Sequence, residues 1–349
     1  MLRLLYGIVG LCLLLAGCRQ QPENEAVPAF YHWKTNFAPS AQSMATVRQL
    51  QTRRIYVKYF DVDWSEELQM PTPRAKVQWD SLPEKGMEIV PTIYFTNRTW
   101  ERLAPNAVDT LGDLVLRLLT QLHPDTASRP VEVQIDSDWS RRTRDTYFLF
   151  LRHLREKLAQ DGTRLSVTLR LHQVKYRDRS GIPPVDRCML MLYNTGDLDD
   201  PKEVNSILSI EDLRAYLTDM RPYPVVLDAA LPIFRWGVLV RAGRPIRLLN
   251  QLDLAELHAD PRREKTGPST AKVLESHYLR GHYLYPGDVL RVEALDADQL
   301  LECARFAAEV IQPAPRHIAF YHLDNRCLED HDARTLESLL HSFRHPRTP

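Results

Sequence analysis

"VEVQIDSDWSRRTRDTYFLFLRHLREKLAQDGTRLSVTLR", residues 131–170, decides the fold. Four residues of alternating character run into two aspartates separated by a serine, the mark of a strand that ends at a polar edge. "TRDTYFLFLRHLREKLAQDG" then carries a dense apolar face at helical spacing and stops at Gly162. "RLSVTLRLHQV", 164–174, is a second strand. A strand, a helix and a strand in this order form one unit of a parallel sheet.

The same alternation extends in both directions. Strand candidates precede the unit at 29–37, 53–64 and 87–97, and follow it at 187–196, 224–234 and 316–325. Helical patterns lie at 107–122, at 209–220 with Ser209 as cap, and at 332–343. Eight strands, most followed by a helix, predict an α/β fold of the (β/α)8 TIM-barrel type. A doubly wound open sheet is the runner-up, and no Gly-x-Gly-x-x-Gly turn follows the first strand to support a dinucleotide-binding version. Residues 235–315 break the alternation. They contain a hairpin signal at Ala242-Gly243, further strand and turn around "YLRGHYLYPGDVLRVEAL", and a helix starting at Asp296. This region is expected to be an insertion on the seventh loop, between strands 7 and 8, over the mouth of the barrel 29–349.

The amino terminus reads as a targeting segment. "MLRLLYGIVGLCLLLAGC" has an early Arg3 and an apolar run too short to span a bilayer. Its ending, Leu15-Ala16-Gly17-Cys18, resembles a bacterial lipobox. That resemblance implies a signal peptide over 1–17 and a lipid on the sulfur of Cys18, with 18–28 as a flexible tether. The address is then the bacterial cell envelope, and Arg19 in place of an aspartate argues for the outer membrane. Basic and acidic residues balance at 45 each, which gives nucleic acid no basic surface. Cys188, Cys303 and Cys327 are too few and too scattered for a disulfide framework or a zinc site, so buried thiols are expected.

In a barrel, functional groups gather at the carboxyl ends of the strands. Those ends are rich here: His32, Trp33 and Lys34; Asp61 and Asp63; Tyr94 and Asn97; Asp136 and Asp138; Arg170 and His172; Tyr193 and Asn194; Asp228; Tyr321 and Asp324. Side chains alternate along a strand, so Gln134, Asp136 and Asp138 share one face. If that face points inward, Asp138 lies at the rim and Asp136 one layer deeper, where it needs a partner such as Arg170 or Tyr193. Aromatic faces beside hydrogen-bonding groups, Trp33, Tyr94 and Trp139 among them, suit sugar rings. The echo of Asp61-x-Asp63 and Asp136-x-Asp138 raises oxygen ligation of Ca²⁺ or Mg²⁺, but no EF-hand-like glycine or ligand ladder accompanies it. No metal and no cofactor are therefore assigned.

Residues 131–170 also resemble the fourth and fifth strand region of family 18 glycoside hydrolases, the chitinase-like barrels. The shared features are a strand ending Asp-x-Asp, a Tyr-x-x-Phe-Leu-x-x-Leu-Arg helix and Leu-Ser-Val. "MLMLYN", 189–194, is similar to that family's sixth strand, and the insertion after strand 7 matches in architecture. The resemblance implies a glycan ligand, with Asp136, Asp138 and Tyr193 in the reacting site. One departure stands out. The family pattern is Asp-x-Asp-x-Glu, and its Glu is the acid of the reaction, whereas this chain has Ser140, which cannot supply that proton. A hydrolase would need a second carboxylate, and Asp228 and Asp324 are the favoured candidates, with Asp63 and Glu275 behind them. His32, Trp33, Tyr94, Asn97, Trp139, Arg170, His172, Asn194 and Tyr321 are the expected ligand-binding residues. Three readings stay open: a hydrolase, a carbohydrate-binding protein on an inactive barrel, and an envelope scaffold whose insertion docks a partner.

Overall fold

The computed structural model describes residues 26–124, 129–200 and 203–346. Cys18, the signal segment and most of the expected tether lie outside the described residues. The first strand begins at Val27.

Eight parallel strands close a barrel. They are β1 (Val27–His32), β2 (Arg54–Ser65), β4 (Glu88–Phe95), β5 (Glu132–Ser137), β6 (Arg164–Arg170), β7 (Arg187–Met191), β8 (Val226–Pro232) and β16 (His317–Tyr321). Each pairs with its successor in the chain, and β1 closes the ring by pairing with both β2 and β16. The expected (β/α)8 barrel is therefore observed. The helix Arg144–Ala159 shows why the opening stretch folds as it does. It buries Tyr147, Phe148, Phe150, Leu151, Leu154 and Leu158 on one face, and that face packs against the strands.

Several details depart from expectation: the first, sixth and eighth strands already stop at His32, Met191 and Tyr321. The fifth strand ends at Arg170, and Leu171–Lys175 is a short helix whose start is held by Arg170 N donating to Gln173 Oε1 at 2.8 Å. A strand that the pattern does not reveal, β3 (Met70–Arg74), pairs antiparallel with the long carboxyl end of β2.

The insertion is a small subdomain. β9 (Trp236–Arg241) and β10 (Arg244–Asn250) form the expected hairpin, with Ala242 and Gly243 at φ of 49° and 75°. The two belong to a five-stranded antiparallel sheet with β15 (Val289–Glu293), β12 (Thr270–Val273) and β11 (Arg263–Lys265). A second hairpin joins β13 (His277–Leu279) to β14 (His282–Leu284) through Arg280-Gly281. Leu239, Leu249, Leu252, Leu257, Leu284 and Leu290 belong to a buried cluster separate from the barrel core. The helix Ala297–Val310, capped by Asp296 and Gln299 as a capping box, returns to the barrel and packs beside the helices Ile210–Leu217 and Ala333–Arg344. The inserted unit proper thus ends at Glu293.

Candidate functional site

The interior of the barrel is built on alternate residues of the opening stretch. Glu132, Gln134, Asp136 and Asp138 climb from floor to rim, and each has a partner on β6. Glu132 accepts from Ser166 Oγ at 2.6 Å and from Arg54 Nη1 at 2.9 Å. Gln134 Nε2 donates to Ser166 Oγ at 3.4 Å, and its Oε1 accepts from Tyr31 Oη, across the barrel, at 2.6 Å. Asp136 accepts from Thr168 Oγ1 at 2.5 Å. Asp138 takes both arms of Arg170, Nε at 2.7 Å and Nη2 at 3.0 Å. Ile135 and Ser137 point the other way, and Ser137 Oγ accepts from Trp100 Nε1 in the helix layer.

A cavity of about 590 Å³ opens at the carboxyl ends of the strands. Its wall brings together Asp136, Tyr193, Asp324, Trp33, Tyr94, Arg170, Asn194 and Tyr321 from the expected set. Tyr321 packs against Tyr193, Trp33 and Tyr31 with ring centroids 5.5, 5.9 and 5.7 Å away. Asn194 faces the cavity from a backbone φ of 56°, a conformation asparagine tolerates well. Asp324 is bonded to Lys34 and caps the helix Asn325–Asp330. Asp138 and His172 lie in an adjoining open depression, shared with Arg170, Asn194 and Trp236.

Four expected site residues stand elsewhere. Asp228 is near the opposite end of the barrel, where it accepts from Arg187 Nε and Nη2 at 2.9 and 2.6 Å and from His317 N at 2.8 Å. Arg187 and His317 are the first residues of their strands, so this cluster seals the floor. His32 points out of the barrel against Phe37, with centroids 4.8 Å apart. Trp139 is buried against Tyr147 and Phe148, and its Nε1 donates to Ser180 O at 2.9 Å. Asn97 opens the helix Asn97–Arg102, and its Oδ1 accepts from Thr143 Oγ1 at 2.7 Å. Ser140 serves the loop: its backbone N donates to Thr143 Oγ1 at 2.9 Å.

Burial and pairing set the electrostatics. Burial pushes the Asp136 carboxyl up to about 6, and the Thr168 hydrogen bond offsets only part of that. For Asp228 burial acts in the same direction, but hydrogen bonds from His317 and Arg187 outweigh it and hold the group below the usual carboxylate range. Burial brings both His32 and His322 down to about 4 and lowers His172. Tyr193 and Tyr94 are raised, again by burial.

Several wall residues were not in the expected set. Lys58 comes from the middle of β2 and is bonded at 2.9 Å to Asp61, which the sequence had marked as a polar strand-end residue without a binding role. Phe234, Arg235, Trp236, Asn250, Gln251 and Arg280 come from the insertion and its approach. Four buried polar atoms on the wall have no hydrogen-bond partner among the described residues: Asp61 Oδ1, Arg235 Nε, Gln251 Oε1 and His322 Nδ1. Among the described residues no group of three or more His, Cys, Asp or Glu side chains is arranged to hold a metal.

No family model and no curated protein sequence matches this chain. Solved structures do. The fold is that of the chitinase-like barrels of glycoside hydrolase family 18. The spore cortex-lytic enzyme SleL of Bacillus megaterium QM B1551 superposes with a TM-score of 0.55 at 11% identity, over 91% of this chain and 75% of its own. The GH18 chitinase ChiB of Flavobacterium johnsoniae gives 0.52 at 12% identity, over 92% and 94%. The chitinase of Chromobacterium violaceum ATCC 12472 gives 0.52 at 12% identity, over 90% and 99%.

Proposed function

We propose that the barrel mouth binds a glycan. The observation that carries this reading is the cavity wall itself. Trp33, Tyr321, Phe234 and Trp236 offer flat apolar faces, and beside them stand buried polar atoms with no partner among the described residues. Buried donors and acceptors are costly when unpaired, and a polyhydroxylated ring supplies both kinds of partner together with an apolar face. The chitinases that share the fold support the same ligand class. Binding fits the geometry better than cleavage by the family route. Ser140 is engaged in its turn, and both oxygens of Asp138 are held by Arg170. The test is binding of the purified protein to an array of envelope and exogenous oligosaccharides, with Trp33→Ala and Tyr321→Ala as variants. Unchanged binding in both variants would remove this face as the site.

A second reading, hydrolysis, rests on Asp136. It faces the cavity and keeps its proton up to about pH 6, as a general acid must. On this reading sugar release falls as pH rises through about 6, and Asp136→Asn abolishes it. Release that survives in Asp136→Asn excludes the role.

The location is part of the same proposal. The lipobox-like ending at Cys18 supports a lipid tether to the cell envelope, on the outer membrane. Cys18→Ser should move the protein from the membrane to the soluble fraction, and an unchanged distribution would refute the tether.

A further inference from the structure

The cavity does not share the neutrality of the chain. The sequence balances 45 basic against 45 acidic residues. Lys34, Lys58, Arg170, Arg235, Arg280 and Arg326, six cations, line the cavity against three carboxylates, Asp61, Asp136 and Asp324. Three of the four arginines have their counter-charges outside the cavity lining. Arg170 is bonded to Asp138, Arg280 to Glu256 and Arg235 to Asp330, and none of these three carboxylates lines the cavity. Each of these pairs therefore offers its positive member to the opening.

Two of the cations have capacity to spare. Arg235 is only 9% exposed, and its Nε has no acceptor among the described residues. Arg326 is exposed at the rim and has no side-chain partner among the described residues. Three of the six reach the wall from the inserted region and its approach or from the helix Asn325–Asp330 after β16: Arg235, Arg280 and Arg326. A neutral sugar chain would desolvate these guanidinium groups and give them only hydroxyl oxygens. A carboxylate or sulfate meets the planar guanidinium fork with charge-assisted hydrogen bonds.

We propose that the cavity takes an acidic glycan, a chain whose sugars carry carboxylate or sulfate groups, held by Arg235, Arg280 and Arg326, with Trp33 and Tyr321 against the ring faces. The proposal rests on the glycan reading above. The acidic groups supply what distinguishes this cavity from one built for a neutral polymer, and the aromatic faces keep it specific for sugar over any other polyanion.

The experiment measures binding of four probes of matched length to the purified full chain, at low and at high salt. The probes are an oligo-uronate, a sulfated oligosaccharide, a neutral chito-oligosaccharide and poly-glutamate. At least one acidic sugar should bind about tenfold or more tighter than the neutral one, and added salt should weaken it. Arg326→Ala and Arg280→Gln should each lower that affinity about tenfold, as loss of a charge-assisted contact does. Arg326 is exposed, so its replacement leaves packing intact, and an unchanged thermal melt verifies this. The uronate and sulfate arms tell which anion is recognised. If the neutral sugar binds as tightly as the acidic ones, the acidic inference falls and the glycan reading stands. If poly-glutamate equals them, the inference falls because charge alone suffices. If no sugar binds, both readings fall together.

Discussion

Asp136 and Asp138 are two residues apart and occupy different electrical surroundings. Asp138 sits at the rim in a two-point pairing with Arg170, while Asp136 is buried with one hydroxyl donor. In the unfolded chain a carboxyl of this kind ionises near pH ~4, and in the fold Asp136 does so at about 6. Between those values the folded state keeps a proton that the unfolded state has released. Stability therefore falls as pH rises through that window, and the cost is complete above about 6. Asp136→Asn keeps an acceptor for Thr168 and removes the charge. It should be more stable than the parent by about 2–3 kcal/mol near neutral pH, with the difference gone below about pH 4. Denaturant melts at both ends of the range check this, and a variant less stable at neutral pH would contradict it. Asp228 carries the opposite sign. Its depressed ionisation contributes stability above the usual carboxylate range, and that contribution is lost as the pH falls below it. Asp228→Ala leaves Arg187 and His317 without their buried partner and should cost about 3–5 kcal/mol in the same melts. Ser140→Glu alone should release no sugar from chito-oligosaccharides, because Arg170 still holds both oxygens of Asp138. Release by that single variant would show that the Arg170 pairing does not block the route.

At the scale of elements, what was legible follows from how local the signal is. The helix Ala297–Val310 is announced by Asp296 and Gln299, whose side chains bond each other's backbone N–H groups. Asp296→Ala removes one of these bonds and should lower stability by about 1 kcal/mol in thermal or denaturant melts, whereas an unchanged midpoint would mean that packing alone holds that end. The β9–β10 hairpin was equally plain, because Ala242-Gly243 fits a tight turn with both residues at positive φ. β3 was hidden for a physical reason. Its sequence, Met70-Pro71-Thr72-Pro73-Arg74, carries two prolines, which are tolerated only because the strand is an edge. The fifth strand was overextended because Leu171 and Val174 continue its apolar character, although they fill a short helix. The helix takes His172 off the strand and into the adjoining depression.

For the whole molecule, barrel and insertion have separate buried clusters and meet at the cavity. The contact is specific. Glu293 at the end of the insertion accepts from Trp236 Nε1 at 2.9 Å and from Ser206 N at 2.9 Å on the barrel side. Cys188, Cys303 and Cys327 are free and buried, as the sequence suggested, and burial raises all three thiols. None of the three should be alkylated in the native protein, and all three should react once it is denatured, with the sites mapped by mass spectrometry. Rapid native labelling of any of them would show that its surroundings open.

The sequence by itself determined the barrel, the place of the insertion and that Gln134, Asp136 and Asp138 share one face. Helix and strand periods, caps and turn residues are written in neighbouring positions, and eight repeats of one unit leave few ways to close. Only the tertiary structure decided the height of each polar residue in the barrel. Alternation tells which face a side chain takes, while its level depends on the stagger between strands. Asp228 is the third residue of β8, yet it meets the first residues of β7 and β16, so it belongs to the floor. Asp136 and Asp324 lie at the opposite end, in the cavity. Most of the cationic wall was equally invisible, because Lys58, Arg235, Arg280 and Arg326 are scattered through a neutral sequence. They converge only when the ring closes and the insertion settles over its mouth.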